Sequence, residues 1–246
     1  MAAGKPLFAD DGVSVVAAED GVLTLTLDRG ECRINPTSIA LLSRALDAVE
    51  QAAGPKALVV AGTGKFFCNG LDIDWMGKHP QGTASMIESF CHVLARLLSL
   101  GCPTVCAITG HGFGAGLFIA LACDWRVMRN DKAWVNFPEL SLGMRLSKGF
   151  AELSKAKLTA AAIRLGVLTG QRFTSSAALA SGIVDAECPE AEVLPRAHQM
   201  ALELLPTNLK LMNFKAESLT KMKIELYTDA YRALRGPHES PPHARL

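Results

Sequence analysis

Pro103-Thr104-Val105-Cys106-Ala107-Ile108-Thr109-Gly110-His111-Gly112-Phe113-Gly114-Ala115-Gly116-Leu117 opens the stretch that decides the fold. Pro103 forbids a helix running in from the preceding segment, and the β-branched, apolar residues behind it predict a buried strand over 104–109. Glycines at 110, 112, 114 and 116 then predict a loop over 110–116. The apolar run 117–123 reads as a buried helix. A strand, a glycine-rich turn and a helix in immediate succession are the repeating unit of an α/β protein.

The neighbouring segments repeat that alternation. Residues 13–16 and 22–27 predict a β-hairpin around the Glu19-Asp20-Gly21 turn. Apolar residues at Ile39, Leu42, Ala45, Leu46 and Val49 predict a helix over 38–53, capped by Thr37 or Ser38 behind Pro36. Residues 57–61 read as a buried strand. Residues 85–100 read as a helix, stopped by Gly101 and Pro103. Strands are expected at 125–128, 134–137 and 181–185, and helices at 152–158, 159–168, 175–180 and from 190 to about 234.

Glu139 is an isolated acid in the greasy segment Trp134-Val135-Asn136-Phe137-Pro138-Glu139-Leu140. Burial disfavours the charged form of a carboxylate, raises its pKa and makes it a better base. A glycine-rich turn that exposes backbone N–H groups is the natural partner for such a base, because the amides hold the oxyanion that proton removal creates. The plainer reading is a glutamate at a helix start, where Pro-Glu is common. The glycine loop also faintly resembles a dinucleotide turn, but its glycines lack that spacing.

The chain has 246 residues, about half of them apolar (49%), with a net charge of +1. It is long enough for one large domain, and its charge balance gives no global attraction to nucleic acid. Seven cysteines occur at wide spacing without a C-x-x-C pair, so zinc and thioredoxin-type chemistry are unsupported and the thiols are expected reduced and buried. No apolar run is long enough to predict a membrane span. The last residues, Ala244-Arg245-Leu246, form a small-basic-leucine pattern similar to a peroxisomal address, behind a proline-rich approach.

Four stretches together resemble the crotonase (enoyl-CoA hydratase/isomerase) superfamily. Gly64-Lys65-Phe66-Phe67-Cys68-Asn69-Gly70-Leu71-Asp72-Ile73 is similar to its first oxyanion loop, and residues 103–111 to its P-x-I-A-x-I-x-G strand. Residues 114–124 are similar to its second glycine loop and helix, and residues 137–143 to its P-E-x-x-L-G segment. The resemblance runs from about residue 13 to 235. It implies a spiral of ββα repeats over residues 1–190, a C-terminal helical region over 191–235 that serves trimerisation and the coenzyme A pocket, and a tail over 236–246.

The same resemblance implies the site. Glu139 stands where the family carries a catalytic acid, and the amides of Leu71 and Ala115 stand where it carries its oxyanion hole. Gly70 and Gly114 let the main chain approach a thioester oxygen. Lys65, Phe67 and Asn69 are candidates for the coenzyme A end. Phe118 occupies the place of the second acid that hydratases use to hold water, and Ser147 the place of the aspartate found in dienoyl-CoA isomerases. One base without a water-holding partner suits a 1,3-proton shift, so the Δ3,Δ2-enoyl-CoA isomerase branch is expected, with other acyl-CoA chemistry (a hydratase or thioesterase) and a non-catalytic scaffold as alternatives. Implied partners are an acyl-CoA substrate, further copies in a trimer or a dimer of trimers, and a peroxisomal import receptor. No metal, nucleic acid or cofactor is implied beyond the coenzyme A of the substrate.

Asp72 and Asp124 are expected to hold loops, Asn69 to adopt a left-handed turn before Gly70, and His111 to pack rather than react. Trp75 and Met76 could line an acyl pocket. Lys210, Lys215, Lys221 and Lys223 could reach phosphates, although a solvated basic helix face explains them equally.

Overall fold

A computed structural model describes residues 4–237 of the chain; the terminal tripeptide lies outside them. The first elements are β1 (Lys5–Asp10), β2 (Val13–Ala17), β3 (Val22–Leu27) and α1 (Pro36–Gln51). β4 (Ala57–Gly62), β5 (Phe66–Cys68), α2 (Ile73–Lys78) and α3 (Thr83–Leu98) follow. Next come β6 (Thr104–Ile108), β7 (His111–Phe113), α4 (Ala115–Ala122), β8 (Trp125–Arg129) and β9 (Val135–Asn136). After α5 (Lys148–Lys157), α6 (Ala160–Thr169) and α7 (Ser175–Ala180), β10 (Ala186–Cys188) leads to α8 (Glu190–Glu203), α9 (Ala216–Leu226) and α10 (Thr228–Arg235).

The strands form two sheets, one of seven in the order β1-β2-β3-β4-β6-β8-β10 and one of three in the order β5-β7-β9. Successive units therefore place one strand in the large sheet and the next in the small one, then return through helical structure. β3-β4, β4-β6, β6-β8 and β8-β10 all pair in parallel, as do β5-β7 and β7-β9. This is the expected α/β spiral.

The central strands are buried on both faces because each face has a different cover. Side chains alternate across a strand. Leu58, Val60, Cys106, Ile108 and Met128 thus join the main core with α1, α3 and α4. Val59, Ala61, Val105, Ala107 and Val127 point the other way and pack under α8 through Val193, Ala197 and Ala201. The two alanines let α8 lie close to the sheet. At the far end, α10 docks on α5 and α3, where Leu234 lies 3.0 Å from the position a Cβ on Gly149 would take.

Several local expectations are corrected. α1 starts two residues early because Asn35, not Thr37 or Ser38, is its cap. The Asn35 side chain accepts the Ser38 N–H at 3.1 Å, and the Asn35 N–H donates to Ser38 Oγ at 2.8 Å, a reciprocal capping box. Residues 110–116 are not all loop, since β7 forms there. His111 N–H donates to Lys65 O at 2.9 Å and Gly112 N–H to Trp134 O at 3.0 Å. Residues 181–185 are a turn, and the strand comes directly after it as β10, paired with β8. The continuous helix expected from 190 is broken at 204–215, where Pro206 intervenes. β1, β5 and α2 were not expected.

All seven cysteines are unpaired as disulfides, six of them buried. Burial pushes the Cys91 and Cys102 thiols up to about 12.

Candidate active site

β5 ends at Cys68, and the chain then turns through Asn69, Gly70 and Leu71. Three hydrogen bonds pin this turn to residues 31–34: Asn69 N–H to Glu31 O (2.9 Å), Ile34 N–H to Gly70 O (2.8 Å) and Asp72 N–H to Ile34 O (2.9 Å). In that parallel bridge the amides of Asn69 and Asp72 face the neighbouring segment. The Leu71 N–H between them donates to no protein group among the described residues. Asp72 caps α2 by accepting the Trp75 N–H at 3.0 Å and also accepts from Asn35, which is the loop-holding role expected of it.

β7 delivers the second turn. Gly114 has φ +50° and ψ −113°, a backbone region that only glycine enters without strain. Its N–H donates to Asn136 O at 3.1 Å, and α4 begins at the next residue. The first amides of a helix have no intrahelical acceptor, so the Ala115 N–H is left to face outward. A Cβ on Gly116 would stand 2.3 Å from Cys68 O, so only glycine lets the first turn of α4 lie against the end of β5. The two turns touch: a Cβ on Gly70 (φ +91°) would lie 3.0 Å from Phe113 O and 3.8 Å from Ala115 N.

The third wall follows β9. Phe137 is buried, Pro138 ends the strand, and Glu139 enters a 3-10 turn over Leu140–Leu142. The Glu139 carbonyl accepts the N–H groups of Leu142 (3.1 Å) and Met144 (2.8 Å), which leaves the side chain free to project. Its Oε1 lies 3.9 Å from the position a Cβ on Gly114 would occupy. Its Oε2 is buried without a partner. Desolvation raises the carboxyl above the ordinary glutamate value, opposed only by contact with its own backbone.

These pieces enclose a cavity of about 240 Å³. Asn69, Gly70, Leu71, Gly114, Ala115 and Glu139 all line it, so six of the residues expected from sequence meet there. Glu139 is the only carboxylate among its described lining residues, and Ile73, Met76, Ile87 and Phe150 make it largely apolar. Lys65, Phe67 and Phe118 do not line it. Lys65 is exposed, with its ammonium 5.3 Å from the centre of the Phe66 ring, and Phe67 is buried in the core. Phe118 is buried behind Phe150, with which it stacks at 4.2 Å.

Met76 lines the cavity, whereas Trp75 faces a groove on the other side of α3. Ser147 lines the cavity too, as the cap of α5. The left-handed backbone expected at Asn69 belongs to Gly70, and the Asn69 amide reaches Glu31 Oε2 at 3.2 Å. His111 is packed, as expected: its ring lies between Phe113 and Trp134 and its Nδ1 accepts the Trp134 N–H at 3.2 Å. Burial and neighbouring cations push its pKa down. Lys223 is not available to a phosphate, being buried against Asp124 at 2.7 Å and Cys102 O at 2.9 Å. Lys221 pairs with Glu217 at 2.6 Å.

The arrangement is one of a half-buried carboxyl beside two unspent amides in a largely apolar cavity. A family model described as enoyl-CoA hydratase/isomerase matches residues 17–236. The chain belongs to this family. Among similar members of the enoyl-CoA hydratase/isomerase family, enoyl-CoA delta isomerase 2, peroxisomal, of Arabidopsis thaliana is 37% identical over 179 residues, covering 70% of this chain and 74% of that protein. The 2,3-dehydroadipyl-CoA hydratase of Escherichia coli is 28% identical over 193 residues, 77% of this chain and 74% of that one. A solved structure of an enoyl-CoA isomerase from Mycobacterium tuberculosis superposes with a TM-score of 0.80 at 27% identity, covering 92% of this chain and 95% of that one. Both isomerases and hydratases thus stand among its relatives, and the chain carries the fold of the enoyl-CoA hydratase/isomerase family.

Sequence reasoning did not single out Phe150 or Asn136. Each is one residue in a segment of unremarkable pattern; the packing of α5 brings Phe150 into the cavity of Glu139, and the packing of β9 on β7 places Asn136 at a neighbouring cavity.

Proposed function

We propose that this protein is a Δ3,Δ2-enoyl-CoA isomerase. The observation that carries the reading is the carboxyl of Glu139, the sole described acid in its cavity, with a buried, unpartnered oxygen. Glu139 takes the C2 proton of a 3-enoyl thioester, and the electron pair spreads over the dienolate from C4 to the thioester oxygen. That oxygen sits between the amides of Leu71 and Ala115, whose dipoles lower the energy of the charge as it develops. The same carboxyl returns the proton to C4, and the double bond ends conjugated with the carbonyl. One acid suffices, because C2 and C4 lie on the same side of a short allylic unit.

Hydration would require a second group to hold and orient water. Phe118, at the sequence place of that second group, lies behind Phe150, whose ring faces the cavity, and this supports proton shuttling over water addition. Raised basicity from burial serves the same step, since a general base works best with a pKa near the working pH.

The test is a pair of spectrophotometric assays, one with 3-hexenoyl-CoA and one with 2-hexenoyl-CoA. Isomerase chemistry generates conjugation in the first. Loss of conjugation in the second means a hydratase, and silence in both with coenzyme A ester still binding means a scaffold. Glu139→Gln keeps the volume and removes the base, so turnover is expected to fall by at least about 10³-fold with the fold intact. Turnover at the original rate would remove Glu139 from the mechanism.

Two of the Arabidopsis relatives carry "peroxisomal" in their names, and a peroxisomal setting is part of the same proposal. A fluorescent fusion compared with and without residues 244–246 tests it. A homotrimer or a dimer of trimers is proposed as well, supported by the exposed apolar side chains of Leu211, Met212, Met222 and Leu226 in the C-terminal region. Light scattering of the purified protein decides the assembly.

A further inference from the structure

Lys157 is a lysine to which the fold gives no acid. It is the last residue of α5 and is partly buried. Its ammonium donates to the phenolic oxygen of Tyr227 at 3.3 Å and lies 4.4 Å from the centre of that ring. Among the described residues no carboxylate forms an ion pair with it. The charged groups that act on it are already committed. Asp124 accepts from Lys223 at 2.7 Å and from the amide and hydroxyl of Thr104. Arg126 donates to the carbonyls of Ile183 and Cys123 and pairs with Asp185. On its own helix, Lys155 and Glu152 pair with each other at 2.6 Å.

Burial disfavours the charged ammonium, and Arg126 and Lys223 repel it, against the attraction of Asp124 and the Cys123 thiol. The Lys157 pKa is thereby brought down to about 8. Tyr227 supplies no negative charge, because burial and Asp124 raise its phenol above the ordinary value. Near neutrality a substantial share of Lys157 is therefore free amine with an available lone pair, the nucleophilic form of lysine. Lys223 differs in both respects, being 6% exposed and charge-paired.

This amine stands apart from the base and the glycine turns. Ser147 and Phe150, at the start of α5, line the cavity of Glu139. Lys157 lies about 10 Å further along the helix than Phe150. A thioester held between the two amide turns is not the one that meets it.

We propose that Lys157 is a site of covalent acylation, whose free amine takes the acyl group of an acyl thioester from solution. The amine nitrogen attacks the thioester carbonyl carbon, and the C–S bond of the tetrahedral adduct breaks. The nitrogen gives up one proton and the departing thiolate takes one up, so the products are an amide and a free thiol. The proposal rests on the acyl-thioester reading only for its donor, since a protein that works on acyl thioesters meets them continually. The amide is uncharged. It ends the repulsion from Lys223 and Arg126 and removes the cation from the face of Tyr227, where α9 passes into α10.

The experiment incubates the wild-type protein with hexanoyl-CoA, which has no double bond to move, at pH 7, 8 and 9. Mass spectrometry follows acylation lysine by lysine. At pH 7 an amine with a value near 8 holds on the order of a hundredfold more free base than an ordinary lysine. A weaker base is also a weaker nucleophile, so Lys157 is expected to react about tenfold faster than the exposed Lys132 and Lys210. Its rate should level off above pH 8, whereas an ordinary lysine gains about tenfold per pH unit over this range. Lys157→Arg should abolish the leading adduct and keep turnover of 3-hexenoyl-CoA. Acylation of Lys157 no faster than that of Lys132 and Lys210, or a rate still climbing tenfold from pH 8 to 9, would overturn the assignment. The isomerase reading is tested apart from it. Labelled Lys157 in a protein silent on 3-hexenoyl-CoA refutes isomerisation alone, and an active isomerase with Lys157 unlabelled refutes acylation alone.

Discussion

Gly114→Ala strikes the point where the base and the second glycine turn meet. At φ +50° and ψ −113° an alanine meets its own backbone, a strain of about 1–3 kcal/mol. Its methyl would also lie 3.3 Å from Pro138 Cγ and 3.9 Å from Glu139 Oε1. Relief by sliding the strands apart is limited, because Gly112 N–H and Gly114 N–H are bonded to Trp134 O and Asn136 O. The peptide preceding Ala115 therefore rotates, and its N–H leaves the cavity. A total loss of about 2 kcal/mol lowers the melting temperature by about 4–8 °C for a chain of this size. Losing one oxyanion donor costs about 10²–10³ in rate, or about 2.7–4 kcal/mol of transition-state stabilisation. The assay is kcat/KM for 3-hexenoyl-CoA beside a calorimetric melt. Gly182→Ala is the control: it also has positive φ (+71°) but meets nothing within 4 Å. It should cost about 1–2 kcal/mol of stability and leave the rate unchanged. If Gly114→Ala matched Gly182→Ala in rate as well as in stability, the turn would have no part in holding the oxyanion.

Burial holds the Glu139 carboxyl above its ordinary value of 4.5, so kcat/KM should fall as pH drops through that raised pKa. The folded state also binds this proton more tightly than the unfolded chain does, so Glu139 makes stability decline as pH rises from 4.5 through the raised value. Glu139→Gln should flatten that decline, and melts across this window read it; an unchanged slope would place the carboxyl in water. Lys223→Met leaves Asp124 buried with the Thr104 amide and hydroxyl as its remaining partners, and urea unfolding should show a loss of about 3–5 kcal/mol. Adding Asp124→Asn should recover part of it, whereas purely additive losses would mean that the pair is not coupled. Cys188, the one cysteine that is not buried, should react first with a thiol reagent under native conditions, and mass mapping that finds another cysteine labelled faster contradicts the packing.

Much was legible in the chain because its signals are local. The buried strands at 57–61 and 104–109, the apolar helix before Cys123 and the glycine turns each follow from residues within a few positions of one another; their order points to an α/β protein, and the resemblance to the family supplied the spiral. The short strands β5 and β7 were harder to read than β9, which the apolar run at 134–137 announced. Each is three residues or fewer and survives through hydrogen bonds to partners far along the chain, such as Gly112 to Trp134. The cap of α1 was displaced for a related reason, since Asn35 also donates to Asp72 across the fold.

That Glu139 and both glycine turns belong to one site was legible in the sequence, the acid through its apolar neighbours and the turns through the resemblance to the family, and all three line one cavity. Tertiary structure alone decided which neighbours share the cavity. It set Phe118 behind Phe150 and Lys65 in solvent, and it brought Phe150 to the wall of the cavity. It also consumed Lys223 in an ion pair. The physical reason is that a residue's type and spacing set its backbone geometry and its preference for burial. Which atoms lose their water, and against what, depends on segments that meet only after the sheets close.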